Sequence, residues 1–365
     1  MERYTVPEHS DSCKTAVLIL NYNGSHFIDD CVRSLLKISS DPFTIYLIDN
    51  CSSDDSVALT RTRYPMVRLI ETGGNLGFAA AYDPVIRQLD YEYFVLLNVD
   101  TVVDENWLNP LLRTVDGDKR VGACGSKIIH MSDRKTIDHA GGMLTLIGAG
   151  LDIGKWEIDG ERYDTAKETG FACGCSLLVR KAAYLEVGGF DPKYFMYHED
   201  VDLCWKLRMF GYSVVYVPGS TVYHHIGMGA QLATETSFKT YHCQKNRIAN
   251  IIKNLSPKRL AVSLFVSTAY DVIRIAGFMR SGRPDLMKAV LMGYRGALGT
   301  IGDLLRQRRT LQRRRLLSDA EINRFFSPVP DSVAEYRRIQ KVRNRELDAG
   351  KHERRIYAKN FKRSI

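Results

Sequence analysis

Over the first hundred residues, short apolar runs alternate with amphipathic stretches. The run AVLIL at 16–20 is wholly apolar and stops at Asn21, Tyr22, Asn23 and Gly24, which predicts a buried parallel strand running into a loop. Phe27, Cys31, Leu35 and Ile38 then recur every three or four residues, predicting a helix packed on the sheet. Residues 44–48, 67–70 and 93–97 predict further strands, with helices over 57–63 and 78–89 between them. This alternation predicts an α/β fold with a doubly wound sheet.

Each predicted strand ends in a polar cluster: Asn21 to Asn23, Asp49 with Asn50, Gly73 to Asn75, and Asn98 with Asp100. Ligands of open α/β sheets sit outside the carboxyl ends of the strands, so the four clusters are expected to face one crevice. The glycines at 73, 74 and 77 follow the third strand and lack the GxGxxG spacing, which argues against a nicotinamide enzyme.

From 121 to 228 the pattern is mixed, with a turn and strand expected over 170–179, a helix over 201–210 and a strand over 213–217. Beyond about 235 only helical spacing remains: Ile248, Ile251, Ile252 and Leu255, then 261–279 and 285–294. No internal repeat or low-complexity tract occurs.

Charge changes the picture. Residues 1–243 carry 23 Lys+Arg against 32 Asp+Glu (−9), and residues 244–365 carry 28 against 10 (+18), which together give the net +9. A basic region of this kind, with six arginines over 306–315, attracts polyanions. Those arginines lack interleaved aromatics and no nucleic-acid module is visible, so an anionic membrane surface, or another copy of the chain, is the expected partner rather than a specific nucleic acid. The stretch 261–279 contains Asp271 and Arg274, which argues against spanning a bilayer and for an interfacial or bundled helix. The division expected is a polar tail at 1–13, a catalytic unit at 14–234 and a basic helical region at 235–365. Eight cysteines spread over 365 residues do not make a disulfide framework, and the first 14 residues have no apolar core of a signal peptide, so a cytoplasmic protein is expected.

The candidate chemistry lies in carboxylates and histidines. Asp100, just past a buried strand, suits a hard cation that bridges diphosphate oxygens, or it caps the segment after it. Glu199, Asp200 and Asp202 favour the N-terminal end of a helix dipole; beside the aromatic run at 194–198, one of them also suits a general base. His224 or His225 offers a nitrogen ligand for the same cation.

Six motifs in order, LILNYNG at 18–24, LIDNCSSDDS at 47–56, GNLGFA at 74–79, LLNVDT at 96–101, GGFD at 188–191 and FMYHEDVDL at 195–203, resemble the family-2 inverting glycosyltransferases, most of all their rhamnosyltransferase-like branch. The resemblance covers roughly 14–230. It implies a GT-A fold: a doubly wound mixed sheet with helices on both faces, followed here by the basic, mostly helical C-terminal region. It also implies that Asn21, Tyr22 and Asn23 line the nucleotide pocket, Asp49 reads the base, and Asn75 lies beside ribose and diphosphate. Asn98 and Asp100 form the family's DxD element in an NxD variant, with Asp100 on metal and diphosphate. Asp200, next to Glu199, is implied as catalytic base, and His224 or its neighbour His225 as closing a Mg or Mn site. No QxxRW element of processive synthases follows Asp200, so limited sugar addition is expected, from a dTDP- or UDP-linked donor to a saccharide acceptor carried on lipid. The small and polar residues at 80–83 depart from the family pattern around the donor. A nucleotidyltransferase would show a basic, glycine-rich phosphate loop at the first strand, where this chain has Asn21 to Gly24.

Overall fold

The computed structural model describes residues 13–39, 42–225, 236–328 and Arg338; the tail at 1–12 and nearly all of 329–365 lie outside the described residues. The chain opens with β1 (Thr15–Asn21), α1 (Ser25–Leu35), β2 (Phe43–Asp49), α2 (Ser56–Arg63), β3 (Arg68–Glu71), α3 (Gly77–Gln88) and β4 (Tyr93–Asn98). These are the strands and helices expected from the apolar runs, displaced by a residue or two at their ends. Strands β1 to β4 are all parallel, in the order β4-β1-β2-β3.

The chain continues with β5 (Thr101–Val103) and α4 (Leu108–Gly117), and the mixed segment then supplies β6 (Val121–His130), β7 (Ile137–His139), β8 (Gly142–Leu144), β9 (Gly150–Asp152), β10 (Lys167–Glu168), β11 (Ser176–Arg180), α5 (Lys181–Glu186), α6 (Glu199–Met209) and β12 (Ser213–His224). Strand β11 enters antiparallel between β4 and β6, so the sheet is mixed, and its path runs β10-β12-β6-β11-β4-β1-β2-β3. The turn and strand expected over 170–179 are present, with the turn at 173–175 and the strand over Ser176–Arg180. The strand expected to end at 217 continues to His224, past a register shift between Val217 and Thr221 where Pro218 and Gly219 interrupt the pattern. That extension pairs His224 with Thr101 of β5, just past the end of β4.

The continuous apolar runs are explained by two-sided burial. Along β1, Ala16 and Leu18 enter one core while Val17 and Ile19 enter the other, and β4 divides Phe94 and Leu96 from Val95 and Leu97 in the same way. Helices α3, α5 and α6 pack on the first face, α1 and α4 on the second.

Five helices follow: α7 (Ser237–Asn254), α8 (Pro257–Arg280), α9 (Pro284–Leu298), α10 (Ile301–Arg314) and α11 (Asp319–Asn323). Ile248, Ile251 and Ile252 of α7 join the core that holds Leu18 and Leu96. Buried Lys253 of α7 reaches Asp191 at 3.1 Å and Asp202 at 3.0 Å, tying this helix to α6 and the loop before it. The arginine run at 306–315 is partly internal. Arg308 donates to the carbonyls of Ile252 (2.7 Å) and Leu255 (2.5 Å), satisfying the C-terminal end of α7, and Arg315 pairs with Asp319 at 2.5 Å.

Candidate active site

The strand register brings the four polar clusters to one edge: Asn21 pairs with Asp49, Asp49 with Glu71, and Leu20 with Asn98. Asn21 is fully buried and its Nδ2 donates to Asp49 Oδ1 at 2.8 Å and to the Ser52 and Ser56 hydroxyls at 3.0 Å each. The Ser52 N–H donates to Asp49 Oδ2 at 3.0 Å. Asn21 and Asp49 thus lock two strand ends together behind the crevice, each carboxylate oxygen keeping further lone pairs. Asn50, part of the polar cluster after β2, donates to Asn75 Oδ1 at 3.0 Å and accepts the Leu76 N–H at 2.9 Å, so the loop after β3 is fastened to the loop after β2. Asn75 and Tyr22 are exposed at the rim, and Asn23, at φ 53°, accepts the Ser53 N–H at 2.8 Å.

At the end of β4, the Asn98 N–H donates to Cys175 O at 3.1 Å, and the His225 N–H donates to Asp100 O at 2.8 Å. His224 Nε2 lies 3.4 Å from Asp100 Oδ2, and its Nδ1 lies 3.0 Å from Asp138 Oδ2. Of the two histidines it is therefore His224 that faces the carboxylate; the His225 ring lies against Phe27, 5.3 Å between centroids. Burial acts to lower the His224 pKa, but hydrogen bonds to Asp100 and Asp138 outweigh it and hold the ring at about 10.

Behind His224 lies a chain of charges that no sequence motif announced. Lys155 donates to Asp138 Oδ1 at 2.6 Å and stands 3.4 Å from Asp152 Oδ2; Asp152 Oδ1 meets His139 Nδ1 at 2.9 Å. The Cys173 N–H donates to His139 Nε2 at 3.2 Å, so the proton of that ring belongs on Nδ1. Burial works against the Asp138 charge, yet Lys155 and His224 keep its carboxyl well below the ordinary range. Both the short strand β7 and the loop around β9 exist to present these groups.

The donor set fits a divalent cation. Asp100 and His224 Nε2 converge, while Asp138 holds the far nitrogen in the carboxylate–imidazole arrangement that orients metal-bound histidines. Among the described residues, no cluster of three or more His, Cys, Asp or Glu makes a closed cage. Two protein donors suit Mg or Mn, which takes its other ligands from phosphate and water. His224 would have to release its Nε2 proton to serve.

The acidic pair comes next. Tyr197 and His198 both have left-handed backbones, φ 71° and 64°, a conformation that costs an L-residue about 1–2 kcal/mol each. Asn246 of α7 holds them there, donating to Met196 O at 2.9 Å and Tyr197 O at 2.7 Å. On the other side, the Phe78 N–H donates to Phe195 O at 2.6 Å, an approach that needs Gly77, whose φ is +75° and where a Cβ would fall 2.1 Å from that oxygen. The result is that α6 starts at Glu199, with Glu199 and Asp200 in its first turn. Asp200 Oδ2 accepts the Gly174 N–H at 3.0 Å and Oδ1 the Val201 N–H at 2.8 Å. Burial pushes the Asp200 carboxyl up, opposed by these two donors. Burial, reinforced by the Asp200 charge, pushes buried Glu199 up well beyond its usual range, and Glu199 Oε2 has no partner. Of the two, Asp200 therefore ionises first. Residues 173–175 tie the two halves together: Cys173 to His139, Gly174 to Asp200, Cys175 to Asn98.

Comparison with known proteins identifies the family. The profile described as "Glycosyl transferase family 2" matches residues 16–188. The N-acetylglucosaminyl-diphospho-decaprenol L-rhamnosyltransferase of Mycobacterium tuberculosis is 32% identical over 230 residues, 57% of this chain and 75% of that protein. The poly-beta-1,6-N-acetyl-D-glucosamine synthase of Staphylococcus epidermidis is 27% identical over 222 residues, 58% of this chain and 50% of that protein. Among solved structures, S. aureus TarS in complex with UDP-GlcNAc shares the fold at a TM-score of 0.53 and 14% identity, over 91% of this chain and 92% of that one. The fold is GT-A, and the chain belongs to glycosyl transferase family 2, where it is a rhamnosyltransferase-like glycosyltransferase.

Proposed function

We propose that the chain moves a sugar, with rhamnose as the first choice, from a dTDP- or UDP-linked donor to a hydroxyl of a lipid-linked saccharide, with inversion. The observation that carries this reading is the turn at 173–175, which hydrogen bonds both to Asp200 and to the strand end that bears Asp100. In the proposed step Asp200 removes the proton of the acceptor hydroxyl while that oxygen bonds to the anomeric carbon. The bond from that carbon to the diphosphate oxygen breaks on the opposite face, and the nucleoside diphosphate departs with the bonding pair. Burial raises the Asp200 carboxyl against two backbone donors, which gives it the basicity a general base needs. Asn75 and Tyr22 at the rim, with Asn98 and Asp100, are the groups we assign to the donor. Mg or Mn bound by Asp100 and His224 would supply positive charge for the departing diphosphate.

The relative of known acceptor acts, by its name, on a decaprenol-linked sugar. We assign this chain a similar lipid-linked acceptor, hence a peripheral place on the inner face of the cytoplasmic membrane and a part in building cell-surface polysaccharide. A thermal-shift screen against UDP, dTDP and GDP, with and without manganese, tests the donor side. Nuclear magnetic resonance of the product then reads the anomeric configuration; a retained configuration would exclude the single displacement.

A further inference from the structure

Helix α8 (Pro257–Arg280) is inside out. The stripe that faces the protein is polar: Ser263, Ser267 and Asp271 are all buried. Arg247 of α7 pairs with Asp271 and donates to Ser267 Oγ at 2.6 Å. Gln244 and the Tyr294 hydroxyl donate to Asp271 Oδ2 at 2.7 and 2.6 Å. The stripe that faces away is apolar, with Val262, Phe265, Val272 and Ile273 exposed by 54, 76, 61 and 72%. It is the one described helix long and apolar enough to cross a membrane. Its buried ion pair binds it to the fold instead, because leaving would strip Arg247 and Asp271 of each other. Rolling the apolar stripe inward would break the same contacts, and among the described residues nothing covers it.

At 100° per residue, Lys258 and Arg280 fall on the same outward arc as Phe265 and Ala269, one at each end, roughly 33 Å apart along the axis. Neither forms an ion pair among the described residues. An apolar strip closed at both ends by cations discriminates between occupants. A second copy packed by two-fold symmetry would set Lys258 against Arg280 if the helices ran antiparallel, or each cation against its twin if parallel; both juxtapose like charges. Lipid phosphates would neutralise both ends while the acyl boundary receives the strip between them.

We propose that this face of α8 lies in the headgroup layer of an anionic membrane, with Lys258 and Arg280 on lipid phosphates. The inference deepens, and for its biological sense rests on, the reading of a lipid-linked acceptor. It does not depend on the arginine run at 306–315, part of which is spent inside the fold.

The test is flotation of the full chain with phosphatidylcholine vesicles, with and without phosphatidylglycerol. The wild type is expected to float with the anionic vesicles. The double variant Phe265→Glu, Ile273→Glu should lose at least about tenfold in partitioning, and Lys258→Glu with Arg280→Glu should lose the preference for phosphatidylglycerol. Binding of UDP checks that each variant is folded; if the glutamate pair melts early, Phe265→Ser with Ile273→Ser carries the same expectation. Transfer to a soluble saccharide acceptor reads the catalytic assignment separately and should not change. Equal flotation of wild type and the Phe265 and Ile273 variants, or a wild type that does not float, would overturn the proposal. So would a wild-type dimer in sedimentation that those variants split, since a second copy would then cover the face.

Discussion

The Asp200 carboxylate accepts the backbone N–H of Gly174 at 3.0 Å, one residue before the carbonyl that receives the Asn98 N–H. A displacement of the 173–175 turn would therefore move Asp200, the proposed base, and the strand end that bears Asp100 together. Family-2 chemistry needs that coupling, because attack and departure occur on opposite faces of one carbon and tolerate little misplacement.

The two adjacent acids should behave differently. Nothing donates to Glu199 Oε2, and burial with the Asp200 charge raises its pKa well above the usual value. Glu199→Gln should keep turnover within about tenfold of wild type, below the usual effect of losing a general base. An acid whose pKa is raised on folding stabilises the native state at low pH and loses that contribution as pH rises through the folded value. Glu199→Gln should accordingly raise the melting temperature more at pH 8 than at pH 5, measured by calorimetry across that range. Asp200 is raised as well, so the acid limb of kcat/KM should lie above the ordinary carboxylate range, activity falling as pH falls through it.

Asp138 touches His224 on one side and Lys155 on the other. Asp138→Asn leaves the shape unchanged and removes the charge that orients the imidazole, so manganese affinity of the UDP-bound chain should fall by about 10- to 100-fold in titration calorimetry. Since Lys155 and His224 hold this carboxyl well below its ordinary pKa, its stabilising effect is present at neutral pH and lost as pH falls through the folded value. The variant should therefore differ least in stability from wild type in strong acid.

Gly77→Ala places a methyl group where Phe195 O stands and forces a residue with a side chain to φ +75°. The backbone term alone is about 1–2 kcal/mol, and relief of the clash must move the loop after β3 away from the turn before α6. Urea unfolding should show at least that loss, with a fall in kcat larger than that produced by Gly74→Ala, where a Cβ meets nothing within 4 Å.

What was legible in the sequence follows from period and run length. Strands buried on both faces read as unbroken apolar runs, so β1 to β4 and the polar clusters at their tips stood out, and the register places those tips on one edge. Asp138, His139, Asp152 and Lys155 were not legible, because β7 and β9 are three residues long and irregular, too short to show a period. For α8, periodicity revealed two faces without saying which one packs inward; the buried Arg247–Asp271 pair decides that, and a partner 24 residues away leaves no local trace. The arginines at 306–315 looked like a surface because composition cannot see that Arg308 caps α7.

The central claim is that Asp200 accepts the acceptor proton in a site whose donor pocket it does not build. Single-turnover transfer by Asp200→Asn, with UDP binding measured on the same sample, tests it most directly. The account predicts a rate lower by at least about a hundredfold, the usual scale of a general base, with UDP affinity unchanged. A variant that binds UDP and transfers sugar at close to the wild-type rate would contradict it.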